Sequence, residues 1–113
     1  MAVCDREMID IVAFDPFSQE VLLVMVEDRP WGSEGERLFD LQEKFSLYFG
    51  YAIGGQLREQ YPQAIGRAIR FELRSIEPLG PRERELVNLV LKNHLEPAGI
   101  QFSARVLGDG KVH

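Results

Sequence analysis

The chain has 113 residues, of which 45% are hydrophobic and 27% are charged, values typical of one globular domain and not of a disordered chain. Its formal net charge of −5 argues against binding to nucleic acid or to an anionic membrane surface. The single cysteine, Cys4, permits no internal disulfide, which fits a reducing compartment. No apolar run approaches the roughly 20 residues of a membrane span, and no signal-peptide pattern opens the chain. We therefore expect a cytoplasmic protein.

The first part of the chain predicts an antiparallel β-hairpin. Residues 8–14 are rich in β-branched side chains and predict a strand. Asp15 and Pro16 suit the first two positions of a turn, and residues 20–27 predict the second strand. This second strand is apolar at both alternating sets of positions, so neither face is expected to contact water. Either it lies centrally with both faces covered, or its outer face meets another molecule.

A long amphipathic helix is predicted between Ser33 and Gly55. Ser33 and Glu36 have the spacing of a capping box at its start, and Gly54 with Gly55 marks its end. Polar residues, Lys44 among them, predict a solvent-facing side. The opposite side is predicted from apolar residues at three- and four-residue steps: Leu38, Leu41, Phe45, Tyr48, Phe49 and Ala52.

The second half predicts a short helical turn, a strand, a helix and a final strand. Residues 56–61 form the turn, and residues 67–76 alternate apolar and charged side chains, the clearest strand pattern in the chain. Pro81 suits the first residue of the next helix, and Pro97 ends it. Residues 100–106 alternate again and predict the last strand.

The predicted order is therefore β-β-α-β-α-β in one domain over residues 1–113. Its core covers about residues 8–107, and residues 1–7 and 108–113 are expected to be flexible. The simplest architecture is an α+β two-layer sandwich, with a four-stranded mixed sheet and two helices packed on one face. The strand order stays open at this stage.

No set of residues in the sequence compels a reaction, so we assign no catalytic residue, no cofactor and no metal ligand. His94 lies on or beside an apolar helix face and favours a packing role. The acidic neighbours of Cys4 disfavour a reactive thiolate. Glu34 and Glu36 lie in an acidic loop, but their spacing does not match a calcium site. An enzyme is therefore less expected than a binding protein.

Two features predict a contact surface instead. Apolar side chains on the first two strands are expected to leave uncovered surface on the outer face of the sheet. Trp31, in a loop with Pro30, can serve as a partner anchor or fold back as a lid over the core. The candidate interface residues are Val12, Phe14, Leu22, Val24, Val26 and Trp31.

Short motifs spread along the chain also resemble a family of small bacterial proteins catalogued only as a domain of unknown function. The resemblance spans about residues 5–107 and implies a compact α+β protein of bacterial origin with no established activity. The residues that carry it are Ile9-Asp10, Trp31, Leu41-Gln42-Glu43-Lys44, Tyr61-Pro62, Gly66-Arg67 and Ala98-Gly99-Ile100.

The leading hypothesis is a non-enzymatic module that forms a homodimer or binds another protein, with no nucleic-acid or membrane partner. The alternative is a small-ligand protein or enzyme with a pocket near Trp31, Tyr48 and Tyr61. A deep polar pocket that holds Asp10 or Glu43 beside Lys44 would favour this alternative, whereas a filled core would count against it.

Overall fold

The structure is a computed structural model that describes residues 9–107. The termini for which flexibility is predicted lie outside the described residues. A 3₁₀ turn (Pro62–Ala64) follows the second helix, and a π-helical turn (Leu91–Leu95) continues the third. The strands and α-helices are β1 (Ile11–Phe14), β2 (Val21–Glu27), α1 (Leu38–Ile53), α2 (Gln56–Gln60), β3 (Ile69–Ser75), α3 (Pro81–Val90) and β4 (Gln101–Val106).

The four strands form one mixed sheet in the order β1-β2-β3-β4. β1 and β2 pair antiparallel, as the short turn between them predicts, whereas β2–β3 and β3–β4 pair parallel. In the turn, Asp15 Oδ1 accepts hydrogen bonds from the amides of Phe17 at 2.8 Å and Ser18 at 3.2 Å. The predicted α+β class and the mixed four-stranded sheet are confirmed.

The hydrophobic core joins one side of the sheet to residues of α1 and α3. On β2 and β3 the core residues alternate along the strand, as Leu23 and Met25 do. Tyr48 of α1 packs edge-on against Phe71 of β3, with ring centroids 5.9 Å apart, and Val87 of α3 joins the same cluster. Burial of these apolar side chains is the main force that holds the helices on the sheet.

The start of α1 differs from the prediction. The helix begins at Leu38, not at Ser33, and no side chain caps its first turn. Gly32 and Gly35 both have positive φ angles, 81° and 78°, which turn the chain before the helix can begin. Glu36 Oε1 accepts a hydrogen bond from the Glu34 amide at 2.8 Å, so the predicted capping box does not form.

The other element boundaries follow the local signals closely. α1 ends at Ile53, and Gly55 then adopts φ 95°, the left-handed conformation that glycine tolerates. α3 begins at Pro81, as predicted. In β3 the apolar side chains are buried and the charged ones between them are only half-buried, which confirms the predicted alternation.

Candidate functional site

We call the side of the sheet that faces away from the hydrophobic core the outer face. The β1–β2 register places Val12 opposite Leu23, a core residue, so the next pair, Ile11 opposite Val24, points to the other side. The same alternation applies to the remaining strands. The outer face consists of Ile11, Ala13, Leu22, Val24, Val26, Arg70, Glu72, Arg74, Gln101, Ser103 and Arg105.

Its β1–β2 half is entirely apolar. Ile11 is 39% exposed. Ala13, Leu22 and Val26 are half-buried, and Val24 at their centre is fully buried but does not belong to the core cluster. Because Val24 has no accessible surface, the apolar surface that a partner could reach on this half belongs to Ile11, Ala13, Leu22 and Val26.

Its β3–β4 half is polar, with charges that alternate in sign along β3. Arg70 contacts both carboxylate oxygens of Glu20, at 3.1 and 3.2 Å, and also donates to Gln101. Arg74 Nε donates to Glu72 at 2.6 Å. The Arg70 guanidinium lowers the pKa of Glu20 below its ordinary value of 4.5. Arg70 and Arg74 on this half are therefore held in position by ion pairs within the chain.

The six residues of the predicted interface do not share one surface. Leu22, Val24 and Val26 lie on the outer face, but Val12 and Phe14 pair with Leu23 and Val21 and pack against the core. The Phe14 ring contacts Tyr61, with centroids 6.1 Å apart. The sequence could not separate these two sets because both alternating sets of positions in the hairpin are apolar.

Trp31 lies in the core and not on the surface. It is 2% exposed, and its indole Nε1 donates a hydrogen bond to the backbone oxygen of Glu77 at 3.1 Å. The Trp31 amide donates to Glu77 Oε1, also at 3.1 Å. Of the two roles considered for Trp31, the geometry is that of a lid that closes the core near the end of β3.

A buried polar cluster of Asp10, Lys44 and Tyr48 lies where β1 begins. Lys44 Nζ is 3.1 Å from Asp10 Oδ1, and both side chains are almost completely buried. The Tyr48 hydroxyl accepts a hydrogen bond from the Asp10 amide at 2.7 Å and donates one to the Val24 carbonyl at 2.5 Å. Asp10 Oδ2 accepts from the Val26 amide at 3.1 Å.

Side chains of this cluster form hydrogen bonds to the backbone of β2 next to the place where its pairing with β1 begins. The Tyr48 hydroxyl donates to the carbonyl of Val24, the partner of Ile11 at the start of β1, and the Asp10 carboxylate accepts from the amide of Val26, two residues beyond that pair. Burial raises the pKa of the Tyr48 hydroxyl well above its ordinary value, so this group does not act as a base at neutral pH. The cluster is sealed in the core, which does not support the alternative of a polar pocket beside Lys44.

The burial of Lys44 corrects the prediction that it lies on the solvent-facing side of α1. A signal for this was present, because Lys44 follows Leu41 by three residues and precedes Tyr48 by four, the spacing of one helix face. Its partner, Asp10, lies 34 positions earlier in the chain, and one sequence cannot reveal such a pairing.

A second polar cluster lies at the end of β2. Arg29 donates to both carboxylate oxygens of the buried Glu27, at 2.9 and 2.8 Å, and approaches Asp40 at 3.2 Å. In the part of the chain that the structure describes, no three histidine, cysteine or acidic side chains are grouped so that they could hold a metal ion. Within residues 9–107, no helix is both long enough and apolar enough to cross a membrane.

Comparison with known proteins gives one match. A family model described as a family of unknown function (DUF6572) matches residues 1–108. No curated protein and no solved structure matches the chain. The comparison thus covers nearly the whole chain but brings no activity, ligand or partner with it.

Proposed function

Since the chain belongs to the DUF6572 family of unknown function, we propose from its geometry that it is a non-enzymatic protein-interaction module that forms a homodimer through the outer face of its sheet. The observation that carries this proposal is the apolar half of that face. Ile11, Leu22 and Val26 lie on the side of the sheet opposite the core and keep part of their surface accessible. Removing such surface from water is favourable at about 25 cal/mol per Å².

The size of the face indicates how much of it the dimer must use. Four strands spaced about 4.8 Å apart, with about six residues each at 3.3 Å, give roughly 400 Å² in projection. A stable protein interface buries about 800 Å² of accessible surface on each partner. Even the whole face provides only about half of this area, so the proposed interface includes the polar half as well as residues around the edge of the sheet.

The charges of β3 suit contact with a second copy of the same chain. In a two-fold symmetric dimer the same patch faces itself, so a uniformly charged patch would repel. Arg70 and Arg74 are paired within the chain with Glu20 and Glu72, so among the described residues Arg105 is the one basic residue of this half without an ion pair. Arg70 of one copy can lie near Glu72 of the other, and the reverse. Because these groups lie near the surface, we expect salt to weaken the association.

The proposed setting is a bacterial cytosol, for which a chain with one cysteine and an acidic balance is suited. A small-ligand site near Trp31 is not part of the proposal. Trp31 and Tyr48 are both buried side chains that fill the core, and no observation at that position favours a ligand.

Two matched isoleucine substitutions test the proposed interface by sedimentation velocity. Ile11→Asp places a carboxylate on the outer face, whereas Ile65→Asp places the same group on a residue that is 64% exposed in the loop before β3. We expect Ile11→Asp to weaken dimerisation by at least about tenfold, or ~1.4 kcal/mol, because an unpaired charge would be buried at the interface. Ile65→Asp should leave the dimer unchanged.

Circular dichroism of both variants provides the control for folding. A folded Ile11→Asp variant that stays dimeric would overturn the proposed interface. Equal weakening by both variants would also contradict it, since the effect would then not depend on the outer face.

A further inference from the structure

A groove of about 380 Å³ lies between α1 and the last turns of the α3 segment, away from the outer face of the sheet. This volume falls near the lower end of the range for small-molecule pockets, roughly 300–1,000 Å³. Phe45 and Phe49 form its α1 wall, and Leu86, Leu89 and Val90 form its α3 wall. The groove thus has the size and the aromatic lining of a small-ligand site.

Four polar side chains converge on this apolar groove. Gln42 and Ser46 come from α1, and Asn93 and His94 come from the end of the α3 segment. None of the ten residues that line it carries a carboxylate, an ammonium or a guanidinium group. A charged ligand would lose its hydration here without a carboxylate, ammonium or guanidinium group to pair with, whereas a neutral ligand with donors and acceptors would find partners.

The backbone conformation at the end of the groove formed by Asn93 and His94 is a second observation, separate from the types of residue that line the groove. Residues Leu91–Leu95 form a π-helical turn, in which the Glu96 amide bonds to the Leu91 carbonyl at 2.8 Å. Such turns are rare and occur frequently at functional sites. This turn carries both Asn93 and His94, and the His94 ring packs edge-on against Phe49 with centroids 5.7 Å apart.

Gly50 provides a third, separate observation. It lies inside α1, where glycine is less favourable than alanine, and it lines the groove. A Cβ atom added at Gly50 would meet nothing within 4 Å, so packing within the chain does not require glycine at this position. The missing side chain leaves the groove wall open to close approach by a ligand.

From these observations we infer that the α1–α3 groove binds a small, neutral aromatic compound that carries both a hydrogen-bond donor and an acceptor. The aromatic body packs against Phe49 and Leu89, and the polar group bonds to the amide of Gln42 or Asn93 and to His94. This site is separate from the proposed dimer interface, so either proposal can fail without the other.

Four probes that share one benzene ring test the inferred chemistry on the full chain. Benzamide is neutral with a donor and an acceptor, benzoate is an anion, benzylammonium is a cation, and ethylbenzene has no polar group. Binding is followed by chemical-shift changes of backbone amides in a ¹⁵N-labelled sample. We expect benzamide to shift the amides of Gln42, Ser46 and Asn93, and each of the other probes to bind at least about tenfold more weakly.

Two variants link binding to the groove. Gly50→Leu introduces a good helix former whose side chain enters the groove, so it should fold and lose benzamide binding by about tenfold or more. His94→Phe keeps a ring beside Phe49 but removes the polar atoms, so it should lose the preference for benzamide over ethylbenzene. Ile65→Asp changes a residue that does not line the groove, so it serves as the control and should bind benzamide as the wild-type chain does.

Three results would overturn the inference. One is the absence of benzamide-induced shifts up to the solubility limit of the probe. Another is binding of benzoate, benzylammonium or ethylbenzene as tightly as benzamide. The third is unchanged benzamide binding in a folded Gly50→Leu variant, which would place the probe elsewhere on the surface.

Discussion

Replacement of one member of the buried Asp10–Lys44 pair should destabilise the protein strongly, whereas replacement of both should not. Lys44→Met leaves the Asp10 carboxylate without the ammonium 3.1 Å away, and Asp10→Asn leaves the buried ammonium without the carboxylate. The double variant removes both charges, and the side-chain oxygen of an asparagine at position 10 can still accept from the Val26 amide, as Asp10 does.

The magnitudes follow from the separation and burial of the two groups. At 3.1 Å and an effective dielectric constant of about 20, the attraction is roughly 5 kcal/mol, and burying each ion costs several kcal/mol. The intact pair therefore contributes little net stability, but each single substitution should cost about 3–5 kcal/mol because it removes the ion-pair partner of a buried charge. We expect the double variant to recover at least about 2 kcal/mol relative to the sum of the single changes.

Urea unfolding followed by circular dichroism measures all four free energies of unfolding. A domain of this size has about 5–15 kcal/mol of stability in total, so a single variant can approach complete unfolding. If a single variant does not fold, a double variant that does fold still shows the coupling. Additive losses, with the double variant as unstable as the two single changes together, would refute the reasoning from a paired buried charge.

Three further predictions concern separate parts of the structure. Trp31→Ala should lower the free energy of unfolding by about 3–5 kcal/mol, because it removes a large buried side chain and its hydrogen bond to Glu77. Urea unfolding measures this loss, and a value below about 1 kcal/mol would contradict the lid role. Arg70 lowers the pKa of Glu20 in the folded protein, so this carboxylate contributes stability above its ordinary pKa of 4.5 and loses that contribution as the pH falls through the lowered value. In urea unfolding at a series of acidic pH values, Glu20→Gln should therefore be less sensitive to acid than the wild-type chain, and an identical acid dependence would argue against the ion pair. Gly50→Ala should raise the free energy of unfolding by about 0.5–1 kcal/mol, because the added methyl group meets nothing and the helix gains propensity; a loss of stability would show that glycine is required for packing.

Local patterns predicted most of the elements because their signals lie within a few residues of one another. The strict alternation of Ile69, Phe71 and Leu73 with charged residues determined β3 and its buried side. Pro81 marked the start of α3, and Gly55 marked the end of α1. The start of α1 was missed because Gly32 and Gly35 adopt turns with positive φ angles on either side of Ser33, the predicted capping residue.

Features that join distant parts of the chain could not be predicted in the same way. The order of the strands depends on how each crossover packs, and periodicity carries no information on this. Val12 and Leu22 are equally apolar, and only the register shows that one faces the core and the other the outer face. The pairing of Lys44 with Asp10, and the contact of Phe49 with His94, likewise arise only after the chain has folded.

The most direct test of the proposed dimer is the molar mass of the wild-type chain by light scattering, from low micromolar to hundreds of micromolar concentration. One chain has a mass of 12.9 kDa, and we expect the mass to rise with concentration towards twice that value. We also expect added salt to lower the mass at a fixed intermediate concentration, because the polar half of the proposed interface carries four charged residues. A mass that stays at that of one chain over the whole range would contradict the central claim.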